Sequence, residues 1–122
     1  MARPAPGRYL AVEDAGEIIM FALGDREGQR LRIGRSPASD ILLEDPSVSR
    51  RHAVVVHRNG RAVLLDDRSL NGVFVNGERV EWRTLADGDE IVVGRYRLHY
   101  VELAPGENTL DVDGEPEYEA TA

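Results

Sequence analysis

A chain of 122 residues is long enough for one domain with one core and too short for two ordinary ones. It has no cysteine, which excludes disulfides and thiol chemistry and gives no sign of an oxidising compartment. The net charge of −7 sits mostly in residues 104–122, with six acids and no base, so that 16 acids face 15 bases elsewhere; a body near −1 argues against a nucleic-acid binder, which usually carries a basic face.

No window reaches membrane-spanning length, and the N-terminus lacks the apolar core of a secretory signal, so the chain reads as soluble and cytoplasmic. All 15 basic residues are Arg. The planar guanidinium fork suits bidentate recognition of phosphate better than an ammonium does.

Residues 1–7 contain two prolines and no periodicity, and read as a flexible leader. Arg8–Glu13 and Glu17–Leu23 are short apolar runs joined by Asp14-Ala15-Gly16, the pattern of a hairpin. Arg30–Gly34 alternates Arg and aliphatic residues, which predicts a strand with one buried face. Ser36–Asp40 is a loop, Ile41–Leu43 a short strand, and Glu44–Arg51 a second loop. His52–Arg58 and Arg61–Asp66 flank Asn59-Gly60, a type I′ turn signal. Asp67–Gly72 is a third polar loop; Val73–Val75 is a strand, and Asn76-Gly77 is a second hairpin turn. Val80–Leu85, with the only Trp, fits no single pattern. Ile91–Val93 and Tyr96–Leu103 are strands separated by Gly94, a turn or bulge, and Tyr96, Leu98 and Tyr100 share one face of the last. No window carries the period of an amphipathic helix. The fold class is therefore all-β, an antiparallel β-sandwich or barrel over residues 8–103, followed by an acidic disordered tail over 104–122.

Three polar clusters fall where strands end: Gly34-Arg35-Ser36, Asp45-Pro46-Ser47-Val48-Ser49-Arg50-Arg51-His52, and Ser69-Leu70-Asn71-Gly72. A phosphorylated side chain presents roughly −1.5 to −2 charges and three acceptor oxygens. Arg35 offers a fork, Ser49 a hydroxyl and Arg50 a second guanidinium, while Asn71 can both donate to and accept from a ligand backbone. Each residue alone reads as a solvated loop side chain; together at one sandwich edge they read as an anion site. Catalytic readings fare worse. Ser49 and His52 lie three apart across a loop-to-strand junction with no nucleophile elbow, so a hydrolase triad is not expected. With no Lys there is no Walker loop. Asp111-Val112-Asp113-Gly114 lacks the remaining ligands of a calcium loop, and His52, His57 and His99 form no metal-ligand pattern. No enzyme activity, cofactor or metal is expected.

In order and spacing, Gly34-Arg35, then Ser49-Arg50-Arg51-His52, then Asn71-Gly72 with Asn76-Gly77 resemble a forkhead-associated (FHA) domain over roughly Tyr9 to Leu103. The resemblance implies a two-sheet sandwich of about eleven strands whose apical loops bind a phosphothreonine peptide. By position, Arg35, Ser49 and Arg50 would contact the phosphate and Asn71 the peptide backbone. Gly34 and Gly72 would serve loop geometry, and His52 would brace the loops without touching ligand. Leu70 stands where some members carry a hydroxyl, with Ser69 beside it, and Ser47 and Val48 are candidates for reading the residue three places after the phosphothreonine. The function so implied is a non-catalytic signalling adaptor. Its partners would be a phosphothreonine protein and an upstream Ser/Thr kinase, with no nucleic acid, membrane or metal. A scaffold of the same fold that binds no phosphate is the alternative. Thr109, flanked by acids and three places before Val112, is a candidate phosphorylation site through which the tail would block its own domain.

Overall fold

The computed structural model describes residues 5–105; the expectations for the outermost leader, the acidic tail and Thr109 lie outside them. Eleven strands form: β1 (Gly7–Asp14), β2 (Glu17–Ala22), β3 (Arg30–Gly34), β4 (Ile41–Leu42), β5 (Ala53–Arg58), β6 (Arg61–Asp66), β7 (Val73–Val75), β8 (Glu78–Val80), β9 (Trp82–Thr84), β10 (Glu90–Val93) and β11 (Tyr96–Leu103). One sheet has the order β2-β1-β11-β10-β7-β8, the other β4-β3-β5-β6-β9. Among the described residues no helix is long and apolar enough to cross a membrane.

The alternation in sequence becomes the two inner faces. Leu10, Val12, Leu98, Tyr100, Ile91 and Val93 point inward from the first sheet. Ile33, Ala53, Val55, Ala62 and Leu64 meet them from the second. The hairpin turns follow their residues, with Asn59 and Gly60 at φ 52° and 74° and Asn76 and Gly77 at 51° and 85°, the left-handed pair a type I′ turn needs.

Three details depart from the sequence reading. The unassigned stretch, Val80–Leu85, holds the last residue of edge strand β8 and all of edge strand β9, and Trp82 is 65% exposed. β1 starts at Gly7, inside the stretch read as leader, because Gly7 pairs with Leu103. The second sheet is not wholly antiparallel. β4 pairs parallel to β3, Ile33 against Ile41 and Gly34 against Leu42. The Asp40 N–H donates to the Arg32 carbonyl at 2.9 Å, and the Arg32 N–H donates back to the Asp40 carboxylate at 2.7 Å, which closes this short excursion.

One end of the sandwich gathers the β3–β4, β4–β5, β6–β7 and β10–β11 connections. All three polar clusters lie there.

Candidate functional site

The β4–β5 loop is the hub of this end. The Arg35 N–H donates to the Ser49 carbonyl at 3.0 Å, and Arg35 Nε–H donates to the Val48 carbonyl at 2.9 Å. These bonds fix the guanidinium by its inner edge. Arg35 is exposed, and its two Nη groups have no protein partner among the described residues. Gly34, just before it, packs so closely that a Cβ would overlap the Arg50 carbonyl oxygen. Glycine is what allows β3 to deliver Arg35 against the loop.

From the other side comes the β6–β7 loop. The Leu70 N–H donates to Ser49 Oγ at 2.9 Å, which leaves the hydroxyl proton to point elsewhere. Asn71 Nδ2 donates to the Ser47 carbonyl at 3.3 Å, and its side chain is otherwise exposed. Gly72 holds φ 93°, a conformation strained for any side chain, and a Cβ there would meet Arg79 Nε at 2.7 Å. Arg79 from β8 thus lies over this loop. Arg50 is exposed beside Ser49. Arg35, Ser49, Arg50 and Asn71 therefore share one end of the sandwich on three loops stitched to each other.

His52 holds the stitching from below. It is fully buried. Its Nδ1 accepts the Ser49 N–H at 3.0 Å, so the ring proton sits on Nε2, which donates to the Gly72 carbonyl at 2.8 Å. One neutral imidazole ties the β4–β5 loop to the β6–β7 loop. Both ring nitrogens are used on backbone, so neither serves the Ser49 hydroxyl as a base.

Three peripheral expectations need correcting, those for Val48, Ser69 and Ser47. Val48 is 1% exposed and belongs to the core, since the loop dips between the sheets to bury it; only its carbonyl takes part, by holding Arg35. Ser69 does not face outward either. Its hydroxyl donates to Asp66 at 2.8 Å and accepts the Gly72 N–H at 3.0 Å. Leu70, by contrast, is 83% exposed at the rim. Ser47 turns inward to a polar knot. Its hydroxyl donates to Asp45 at 2.5 Å and accepts the Arg95 N–H at 3.0 Å.

Sequence reasoning missed that knot. Asp45 accepts from the Ser47 hydroxyl and N–H and from Arg95 Nε at 2.9 Å. These donors, the Ser47 hydroxyl foremost, hold its carboxyl down to about 2. Arg95, raised above its ordinary value chiefly by that hydrogen bond, also lies 4.4 Å from the centroid of the Tyr96 ring. Asp45-Pro46-Ser47 is a turn-initiating sequence that signals the Asp45 end of the knot. Arg51 makes a second tie, with Nε and Nη2 each 3.1 Å from the Asp67 carboxylate. Arg79 had no signal.

The family model for the FHA domain matches residues 31–94. The oxoglutarate dehydrogenase inhibitor of Corynebacterium diphtheriae is 45% identical over 69 residues, which span 57% of this chain and 48% of that protein. The glycogen accumulation regulator GarA of Mycolicibacterium smegmatis is 47% identical over 68 residues, 56% of this chain and 43% of that protein. The matched stretch is thus under half the length of either relative. A solved FHA domain described for phosphothreonine-dependent interactions superposes with a TM-score of 0.66 at 34% identity, covering 77% of this chain and 94% of that one.

Proposed function

The chain belongs to the forkhead-associated family, and from that premise we propose that its apical loops form a reversible, non-catalytic reader of phosphothreonine peptides. One observation carries the reading. Arg35 is clamped by its inner edge to the loop that presents Ser49, with both Nη groups turned to solvent and the Ser49 hydroxyl proton free to donate. In this proposal Arg35, Ser49 and Arg50 hold the phosphate. Asn71 meets the peptide backbone, and Arg79 and Leu70 form the rim that touches residues beyond the phosphothreonine. The two relatives are named for an inhibitor and a regulator, which supports a regulatory role; in this proposal the adaptor acts in the cytoplasm, downstream of a Ser/Thr kinase.

The expected affinity follows from magnitudes. Charge-assisted hydrogen bonds contribute ~1.5–3 kcal/mol each. Four of them at the strong end contribute about 12 kcal/mol, which against an association cost at its low end of ~4 kcal/mol leaves about 8 kcal/mol, so micromolar affinity is the upper limit these bonds supply. The test is a titration of the full chain with a degenerate phosphothreonine peptide library beside phosphoserine and unphosphorylated counterparts. Micromolar binding confined to phosphothreonine supports the reader. Silence with every library, by the chain as purified and after phosphatase treatment, would leave the scaffold alternative.

A further inference from the structure

The outer face of the β4-β3-β5-β6-β9 sheet carries a feature that the phosphate site does not use. A groove of about 270 Å³ runs across β3, β5 and β6. Its floor is aliphatic: Val54 lies opposite Leu65 and Val56 opposite Val63, all partly exposed. Trp82 continues the Val54–Leu65 row onto β9, 65% exposed. Arginines stand around the floor. Arg32 pairs in register with Val54 and Arg30 with Val56, while Arg58 closes the end of β5. Among the described residues none of these three side chains has an ion-pair partner. The carboxylate lining the groove, Asp67, is already taken by Arg51.

A patch of unpaired guanidinium groups around an aliphatic floor, on a chain of net charge −7, has a defined complement. We propose that this face is a second binding site, which takes an unphosphorylated, extended, acidic segment of a partner protein. Its carboxylates pair with Arg30, Arg32 and Arg58, and its apolar side chains lie on Val54, Val56, Val63 and Leu65. Arg30 and Arg32 are two residues apart on one strand, about 7 Å, which matches side chains on alternate positions of an extended segment. A nucleic-acid strand fits less well. Its phosphates would meet the arginines, but four aliphatic side chains offer its sugar-phosphate backbone nothing. The site works without phosphate and stands independently of the apical reading.

The test maps amide shifts of the full chain on adding a short peptide of repeated Glu-Glu-Leu-Leu, which puts both residue types on each face when extended. The expected result is saturable shifts at Arg30, Arg32, Val54, Val56, Val63 and Leu65, with Arg35, Ser49 and Asn71 unmoved. Arg30→Glu combined with Arg32→Glu should weaken binding at least tenfold while Arg35→Ala leaves it unchanged. Should the double variant fail to fold, Trp82→Ser, at a solvent-facing side chain, should weaken binding severalfold. Any of several results would overturn the proposal: no shifts; shifts confined to the apical loops; equal binding of the Lys-for-Glu peptide; tighter binding of a short DNA duplex. Concentration-dependent shifts of the free chain at this face would assign it to a second copy instead. Shifts there on deleting residues 106–122 would assign it to the chain's own tail.

Discussion

Replacing His52 by Ala tests whether the site is held from beneath. The imidazole is fully buried and makes two hydrogen bonds, from the Ser49 N–H and to the Gly72 carbonyl. Removing it orphans both backbone groups, at ~1–3 kcal/mol each, so about 2–6 kcal/mol is at stake, less whatever a water admitted to the gap restores. Against a total stability of ~5–15 kcal/mol for a domain of this size, that is a large share. With an m-value near 2 kcal/mol/M in urea, a loss of ~3 kcal/mol moves the unfolding midpoint down by ~1.5 M at unchanged slope. Affinity for a phosphothreonine peptide should fall at least tenfold in the fraction that remains folded, because the loops presenting Ser49 and Asn71 lose their cross-tie. The assay is urea unfolding followed by tryptophan fluorescence, paired with a peptide titration in the absence of urea. A midpoint shift under ~0.3 M together with normal peptide affinity would refute the brace.

Arg35→Ala should do the opposite: phosphopeptide binding is lost while stability falls by about 1 kcal/mol or less, the worth of its one side-chain bond to the Val48 carbonyl, as read by the same two assays. Acid should loosen the β4–β5 loop in a low window. A carboxyl held down to about 2 stabilises the fold fully above its ordinary value near 3.8, and that contribution fades as pH falls towards 2; the Ser47 amide shift should titrate near 2 and move upward in Ser47→Ala, since that hydroxyl is the largest cause. Ligand affinity should fall at a higher pH, as the peptide phosphate protonates below its second pKa of ~6, and constant affinity from neutral pH to well below that value would argue against a dianion site.

What was legible in the sequence was local. Asn59-Gly60 and Asn76-Gly77 dictate their turns through left-handed backbone, and the alternation of Tyr96, Leu98 and Tyr100 set one inner face. The candidates Arg35, Ser49 and Asn71 were legible as a group because they are polar residues where strands end, and the loops bring all three to one end of the sandwich. What stayed hidden depends on contacts between distant segments. Arg95 meets Asp45 across 50 residues, which no spacing encodes. Val48 sits in a polar loop, and only the closing of the sandwich decides that it turns inward. Ser69 looked like a peripheral hydroxyl until Asp66 and the Gly72 N–H were seen to claim it. The stretch around Trp82 fitted no single pattern because its strand lies at the sheet edge, where the outward position of the side chain follows from pairing with Leu65.

Thr109 offers a last test, and chain reach sharpens it. The β10–β11 turn lies at the site, since the Arg95 N–H donates to Ser47 Oγ and Asn71 donates to the Ser47 carbonyl. β11 then runs eight residues away from it to Leu103. The path from Leu103 back to Arg95 is about 26 Å at the rise of a strand. Thr109 lies six positions beyond Leu103, a span of at most about 22 Å even fully extended, and the side chain adds only a few ångströms. Reach is spent before the chain can turn over the apical loops. Folding back onto its own site would require unpairing Leu103 and Glu102 from Gly7 and Arg8, whereas entering the site of a second chain requires nothing of the kind. A chain phosphorylated at Thr109 should therefore associate in a concentration-dependent way by light scattering, and Arg35→Ala should abolish that association. A monomer whose site is blocked equally at every concentration would refute the reach argument. Unchanged affinity for an external phosphopeptide at all concentrations would remove Thr109 as a ligand.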